Sequence, residues 1–161
     1  MDIFQKVENH IVQLFKDNSS SGYYYHNFEH TSQVVYNINK LAKAEGVSDN
    51  ELELLLLAGW FHDTGYFRNY IAHEDASIEL AQEFLGKIGV DNEKIEAISR
   101  LISSTKMEHS PENLLEQIMK DSDFSHLSSD QYLEISEHLK NELEATQNIL
   151  FTDLTKNKLG K

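Results

Sequence analysis

Cysteine is absent from this chain of 161 residues. Disulfide bonds, thiolate metal sites and cysteine nucleophiles are therefore excluded, and histidine and carboxylate side chains remain as the available metal ligands. Proline occurs once, at Pro111, and glycine seven times, which favours helices over turn-rich β architectures. No segment alternates polar and apolar residues as a half-buried strand would. We therefore predict an all-α fold, a single compact bundle of about six to eight helices.

Positive charge is also scarce, since 14 lysine and arginine residues stand against 27 aspartate and glutamate residues. The formal net charge of −13 repels long nucleic acids, so we expect no DNA or RNA partner. A small phosphorylated ligand remains compatible with this charge, because a bound cation reverses the local field. No apolar run approaches the roughly 20 residues that span a bilayer. The N-terminus also lacks the pattern of a signal peptide, so we expect a cytoplasmic protein with no membrane partner.

Apolar residues recur at helical spacing along most of the chain. Ser48 and Glu51 form a capping-box pattern, and Ser128 with Gln131 is a second candidate. Ser110-Pro111 combines an N-cap residue with proline at the first helical position. The predicted helices, with their capping residues, run over about 2–17, 27–45, 48–62, 74–88, 91–103, 110–121 and 128–150.

The helices are predicted to form one domain over residues 1–150. A chain of this length suits a single core, and no internal repeat or linker interrupts the pattern. Residues 18–22 are rich in asparagine, serine and glycine, which predicts a loop. Residues 151–161 are predicted to form a polar C-terminal tail.

The apolar run Leu54–Phe61 leads directly into His62 and Asp63. Buried charge of this kind is tolerated mainly when it is paired or binds a metal. A helical bundle brings such distant ligands together in its core. Two imidazoles and two carboxylates suit one divalent ion, such as Mn, Fe, Co, Ni or Mg. The candidate metal ligands are His30, His62, Asp63 and Asp121.

The ordered set His30, His62-Asp63 and Asp121 resembles the HD superfamily of metal-dependent phosphohydrolases. Neighbouring segments resemble one subgroup of small phosphohydrolases within it, with its Y-H-N-x-x-H, N-E-x-x-S, I-x-x-T-x-x-H and D-x-D-L strings. These segments are residues 25–30, 73–77 (with His in place of Asn), 102–109 (one residue longer) and 121–124. The resemblance implies an HD-domain helical bundle. It also implies hydrolysis of a phosphate ester or anhydride of a small metabolite or nucleotide through a metal-activated water.

The resemblance leaves the number of metal ions and the catalytic groups open. His73 and His109 fit the ligand order of binuclear HD enzymes, or are pocket histidines that bind no metal. A Glu-Asp pair used by some HD nucleotide hydrolases is absent after Asp63. Glu74 is a candidate base, or a residue that orients a histidine or favours its own helix N-terminus. The catalytic candidates are Glu74, His26 and His73 for proton transfer and Lys106, together with Arg68, for binding phosphate.

Two further functions stay open at this point. One is a non-catalytic HD module that binds a nucleotide. The other is a di-iron HD oxygenase that cleaves C–C or C–P bonds, which requires His73 and His109 to bind a second metal. The expected partner is a small phosphorylated substrate, with nucleotides included. Many HD relatives dimerise through helices, so a homodimer is also compatible with the resemblance.

Overall fold

The computed structural model describes residues 1–18 and 22–147. These residues form seven α-helices and two short 3₁₀ helices and contain no strand, which confirms the predicted all-α fold. The α-helices are α1 (Ile3–Asp17), α2 (Phe28–Glu45), α3 (Asp49–Phe61), α4 (His73–Lys87), α5 (Asn92–Ser103), α6 (Leu114–Asp123) and α7 (Tyr132–Gln147). The 3₁₀ helices are Thr64–Phe67 and Phe124–Ser128. The middle of the predicted loop, the end of the last predicted helix near Leu150 and the tail 151–161 lie outside the described residues.

Helix α3 lies at the centre of the bundle, packed against α1, α2, α4, α5 and α6. Its second half is apolar on nearly every side, and Leu55, Leu57 and Phe61 are fully buried. A helix that is hydrophobic all round is stable only when other elements surround it. The position of α3 delivers His62 and Asp63, directly after its last turn, into the interior. Within residues 1–18 and 22–147, no helix combines the length and the apolar character of a membrane span.

Capping residues fix the starts of several helices close to their predicted positions. Ser48 and Glu51 form the predicted capping box at the start of α3. Asp91 accepts the Lys94 backbone N–H at the start of α5. Asn27 caps α2 in the same way, by accepting the backbone N–H of His30. Each cap satisfies a backbone donor that the helix itself leaves unpaired.

The predicted start of the sixth helix at Ser110-Pro111 is wrong. Helix α6 begins at Leu114, and the Asn113 side chain accepts the Glu116 backbone N–H at 3.1 Å. The buried Glu116 carboxylate also accepts the backbone N–H of Glu112 at 2.9 Å. This carboxylate therefore holds the residues before Asn113 in a loop that bends back over the first turn.

The predicted capping box at the start of the last helix is also wrong. Ser128 lies in the second 3₁₀ helix, where its hydroxyl donates to the Ser125 carbonyl at 3.0 Å. The Gln131 backbone N–H donates to the Ser129 hydroxyl at 2.9 Å. Helix α7 begins one residue later, at Tyr132.

The first 3₁₀ helix joins the end of α3 to the start of α4. The Ser77 hydroxyl donates to the His62 carbonyl at 2.7 Å and accepts the Gly65 backbone N–H at 2.8 Å. Gly65 lies so close to the His73 carbonyl that no Cβ atom would fit between them. This close packing fixes the start of α4 beside the His-Asp pair.

Candidate metal centre

Three helix ends place two histidines and two aspartates at one point in the interior. His30 lies in the first turn of α2, His62 and Asp63 follow α3, and Asp123 is the last residue of α6. One ligand atom from each of the four residues lies within 4.8 Å of the others. We call these four residues the His/Asp cluster.

The spacing within the His/Asp cluster matches that of ligands around one ion. The His30 Nε2 atom lies 3.2 Å from Asp63 Oδ2 and 3.3 Å from Asp123 Oδ1. The His62 Nε2 atom lies 3.2 Å and 3.4 Å from the same two oxygens. Atoms bound at about 2.1 Å to one ion lie about 3 Å apart when they are neighbours in its coordination shell.

Three atoms of the His/Asp cluster are buried and have no hydrogen-bond partner among the described residues. They are His30 Nε2, His62 Nε2 and Asp63 Oδ2. His62 donates from Nδ1 to the Gly59 carbonyl at 2.8 Å, so the lone pair of a neutral ring is on Nε2, which faces the cluster. Each buried polar atom without a partner costs about 1–3 kcal/mol. One cation would satisfy all three, so these residues fit a divalent metal ion.

The charges of the cluster also call for a cation. Burial lowers the pKa of His30, but the Asp123 and Asp63 carboxylates outweigh burial and raise this pKa to about 9. Burial also lowers the pKa of His62, but the same two carboxylates outweigh burial and raise this pKa well above its ordinary value. Burial raises the pKa of Asp63, yet His62 and His30 hold that pKa well below its usual range. Positive charge between the two carboxylates is therefore stabilised, whether protons or a metal ion supply it.

A family model described as an HD domain matches residues 27–126, which is more than half of the chain. The chain belongs to the HD domain family. No curated protein and no solved structure matches it. HD domains bind divalent metals, and most are metal-dependent hydrolases. The His/Asp cluster of this HD domain lies entirely within the matched residues, which agrees with the resemblance seen in the sequence.

The structure places Asp121, the fourth ligand predicted from the sequence, outside the His/Asp cluster. Its exposed carboxylate accepts a hydrogen bond from Gln117 Nε2 at 2.8 Å. Residues four apart share a helix face, so Asp121 lies with Gln117 on the solvent side of α6. By the same spacing, Asp123 follows the fully buried Met119 and turns toward the interior. Asp123 therefore takes the place predicted for Asp121.

The two histidines proposed for a second metal have different surroundings. The His73 Nε2 atom lies 3.5 Å from Asp63 Oδ1, and its ring stacks on Tyr66 with 3.8 Å between ring centroids. His109 instead shares a hydrogen bond of 2.8 Å between its Nε2 atom and the Glu116 carboxylate. The group of four potential ligands found in the described part of the chain includes neither histidine. A second ion stays a prediction.

His26 is held by Glu142, a residue of α7 that no sequence motif marked. The fully buried Glu142 carboxylate accepts the backbone N–H groups of Tyr25 and His26 at 2.8 Å each. It also accepts hydrogen bonds from His26 Nδ1 and from the Tyr70 hydroxyl, the latter at 3.3 Å. Burial raises the pKa of Glu142, but its bonds with His26 outweigh burial and lower that pKa. A carboxylate can only accept, so His26 Nδ1 is the donor, and Nε2 is the acceptor atom of the neutral ring.

Replacing Glu142 with glutamine is expected to destabilise the protein by about 2 kcal/mol. The glutamine NH₂ group would face donors that now bond to a carboxylate, and it cannot accept from them. Urea denaturation followed by helical circular dichroism measures the loss. Glu137→Gln is the matched control, because Glu137 is an exposed residue of the same helix. Equal stability of the two variants would contradict the role of Glu142.

Two other predicted catalytic residues, Glu74 and Lys106, pair with side chains in the first turn of α4. The Glu74 carboxylate lies 3.5 Å from His73 Nδ1, a position from which it can orient that imidazole. The Lys106 ammonium lies 2.7 Å from Asp75 Oδ1. The positive charge of Lys106 is therefore balanced by a carboxylate within the protein.

A cavity of about 450 Å³ lies beside the His/Asp cluster, and His30 and Asp123 form part of its wall. Its volume is within the range of about 300–1,000 Å³ that is usual for small-molecule sites. His126 and His138, which belong to no recognised motif, also line it. A ligand in this cavity would therefore adjoin an ion held by the cluster.

Proposed function

We propose that this HD domain is a metal-dependent phosphohydrolase that cleaves a phosphate ester or anhydride of a small metabolite or nucleotide. The observation that carries the proposal is the His/Asp cluster, whose buried ligand atoms lack partners in the described residues and border a ligand-sized cavity. When bound, a divalent ion (Mn, Fe, Co, Ni or Mg) supplies Lewis-acid chemistry toward phosphate and water. The residues that would hold it are His30, His62, Asp63 and Asp123.

Residues around the cluster are suited to handling protons. Glu142 accepts from His26 Nδ1, so in the neutral ring the His26 Nε2 atom can accept a proton from water and return it to the leaving group. His26 stacks on Tyr66 with 3.8 Å between ring centroids, and Tyr66 stacks on His73. We assign His26 to proton transfer and Glu74 to orienting His73 beside the cluster.

Metal removal and replacement test this proposal. Protein stripped with a chelator is expected to release no phosphate from a panel of phosphate esters and nucleotides, and to regain activity with one of the five ions. Asp63→Ala is expected to lose both metal and activity by more than about a hundredfold, because even the outer partners of metal ligands contribute 10–100-fold. Asp130→Ala, an exposed aspartate outside the cluster, is the control.

Three outcomes would contradict the hydrolase. Full activity of Asp63→Ala protein that contains no metal would remove the cluster from the reaction. Nucleotide binding at full metal occupancy without phosphate release would favour the non-catalytic module. Dioxygen consumption by protein with two irons per chain would favour the oxygenase.

A further inference from the structure

The cavity beside the His/Asp cluster has acidic charge in its lining. Glu29, from the first turn of α2, and Glu134, from α7, both contribute to it. Among the described residues, no lysine or arginine lines this cavity. Apart from Asp123, the imidazoles and the tyrosines, its other polar lining consists of Asn27, Gln33, Asn37, Ser125, Ser129 and Gln131.

Three positively charged side chains near the site interact with other groups of the protein. Lys106 pairs with Asp75 at 2.7 Å, and Arg68 Nη2 lies 3.0 Å from Glu83 Oε2. Lys120 donates from Nζ to the Lys106 carbonyl at 2.9 Å and to further carbonyls of the same loop. Within residues 1–18 and 22–147, a phosphate group inside the cavity would therefore have no lysine or arginine to balance it.

A metal ion in the cluster would not supply the missing positive charge. The charge of a divalent ion is balanced by the carboxylates of Asp63 and Asp123. One phosphate group can still bind through direct ligation, but no surplus charge remains for a second. Glu29 and Glu134 would repel any further anionic group in the cavity, with an energy that depends on distance and screening.

We infer that the substrate is a phosphate monoester whose alcohol part is neutral or carries an amino group. Its phosphate would meet the cluster, and its alcohol part would lie in the cavity. Hydroxyl and ammonium groups there can donate to Glu29 and Glu134. In the reaction, water attacks phosphorus, the bond to the ester oxygen breaks and that oxygen gains a proton, which yields inorganic phosphate and the alcohol. The inference rests on the proposed hydrolase and narrows its substrates to monoesters.

Three esters that differ mainly in one terminal charge test the inference. They are ethanolamine phosphate, 2-hydroxyethyl phosphate and phosphoglycolate, which end in an ammonium, a hydroxyl and a carboxylate group. With the metal-loaded protein, kcat/KM is expected to fall in this order, by about tenfold from first to last. The double variant Glu29→Gln/Glu134→Gln is expected to reduce this range to about twofold. Glu137→Gln, on α7 but outside the cavity lining, is expected to retain it.

Binding of non-hydrolysable analogues separates charge selection from turnover. Calorimetry with Mn-loaded protein compares 2-aminoethylphosphonate, 2-hydroxyethylphosphonate and 3-phosphonopropionate, and the same order of affinity is expected. If the protein binds the analogues in that order but hydrolyses none of the esters, the result would support the charge selection. It would contradict only the proposed hydrolase activity. An equal or reversed order, or a range unchanged in the double variant, would overturn the inference even if all three esters are hydrolysed.

Discussion

Asp123→Ala protein is expected to lose its divalent ion and its activity, whereas Asp121→Ala protein keeps both. The Asp123 Oδ1 atom lies 3.3 Å and 3.4 Å from the facing nitrogens of His30 and His62. The Asp121 carboxylate bonds to Gln117 on the exposed face of the same helix. Elemental mass spectrometry after reconstitution and dialysis gives the ions bound per chain. We expect metal affinity to fall by more than about a hundredfold in Asp123→Ala and by less than about twofold in Asp121→Ala.

The two aspartate variants are matched, because both remove a carboxylate from the last turn of α6. Circular dichroism of the metal-free proteins shows whether either substitution unfolds the helix and so separates ligand loss from misfolding. Metal loss in Asp121→Ala together with metal retention in Asp123→Ala would restore the ligand chosen from the sequence. It would also mean that α6 turns Asp121, and not Asp123, toward the cluster.

His62 and Asp63 could be predicted because an apolar run on a helix leads straight to them. Asp123 could not be chosen over Asp121 in the same way, since both carboxylates belong to one D-x-D string. The choice depends on how α6 is rotated about its axis, and this rotation is set by the burial of Ile118 and Met119. The spacing of four residues from Met119 to Asp123 places both on one face of the helix, and it is the sequence signal that favours Asp123 over Asp121.

Glu142 could not be predicted from local pattern at all. A glutamate in an amphipathic helix usually faces solvent, and α7 lies beyond the residues that match the HD family model. Its burial depends on the segment before α2, whose Tyr25 and His26 donors converge on one carboxylate. Such a long-range contact appears only when the helices are assembled. The helices themselves follow from periodicity and caps, as the capping box at Ser48 illustrates.

Gly65→Ala is expected to destabilise the protein by about 3 kcal/mol, the upper end of the usual cost of overpacking. The added Cβ would overlap the His73 carbonyl oxygen and lie 2.6 Å from the Ser77 backbone nitrogen. Both neighbours are backbone atoms at the start of α4, so relief requires the helix to move. Because Ser77 also bonds to the His62 carbonyl, that movement is expected to weaken metal binding as well.

Gly86→Ala is the control for this prediction, since Gly86 lies in α4 and a Cβ there meets no atom within 4 Å outside the neighbouring backbone of its own helix. Alanine is favoured over glycine inside helices, so this variant is expected to gain up to about 1 kcal/mol. Urea denaturation of both variants measures the difference, and a metal titration of each follows the coupling to the cluster. If Gly65→Ala unfolds at the urea concentration of the parent, α4 does not approach the 3₁₀ helix as closely as described. If it is destabilised while its metal affinity stays unchanged, the start of α4 supports the fold without positioning the His-Asp pair.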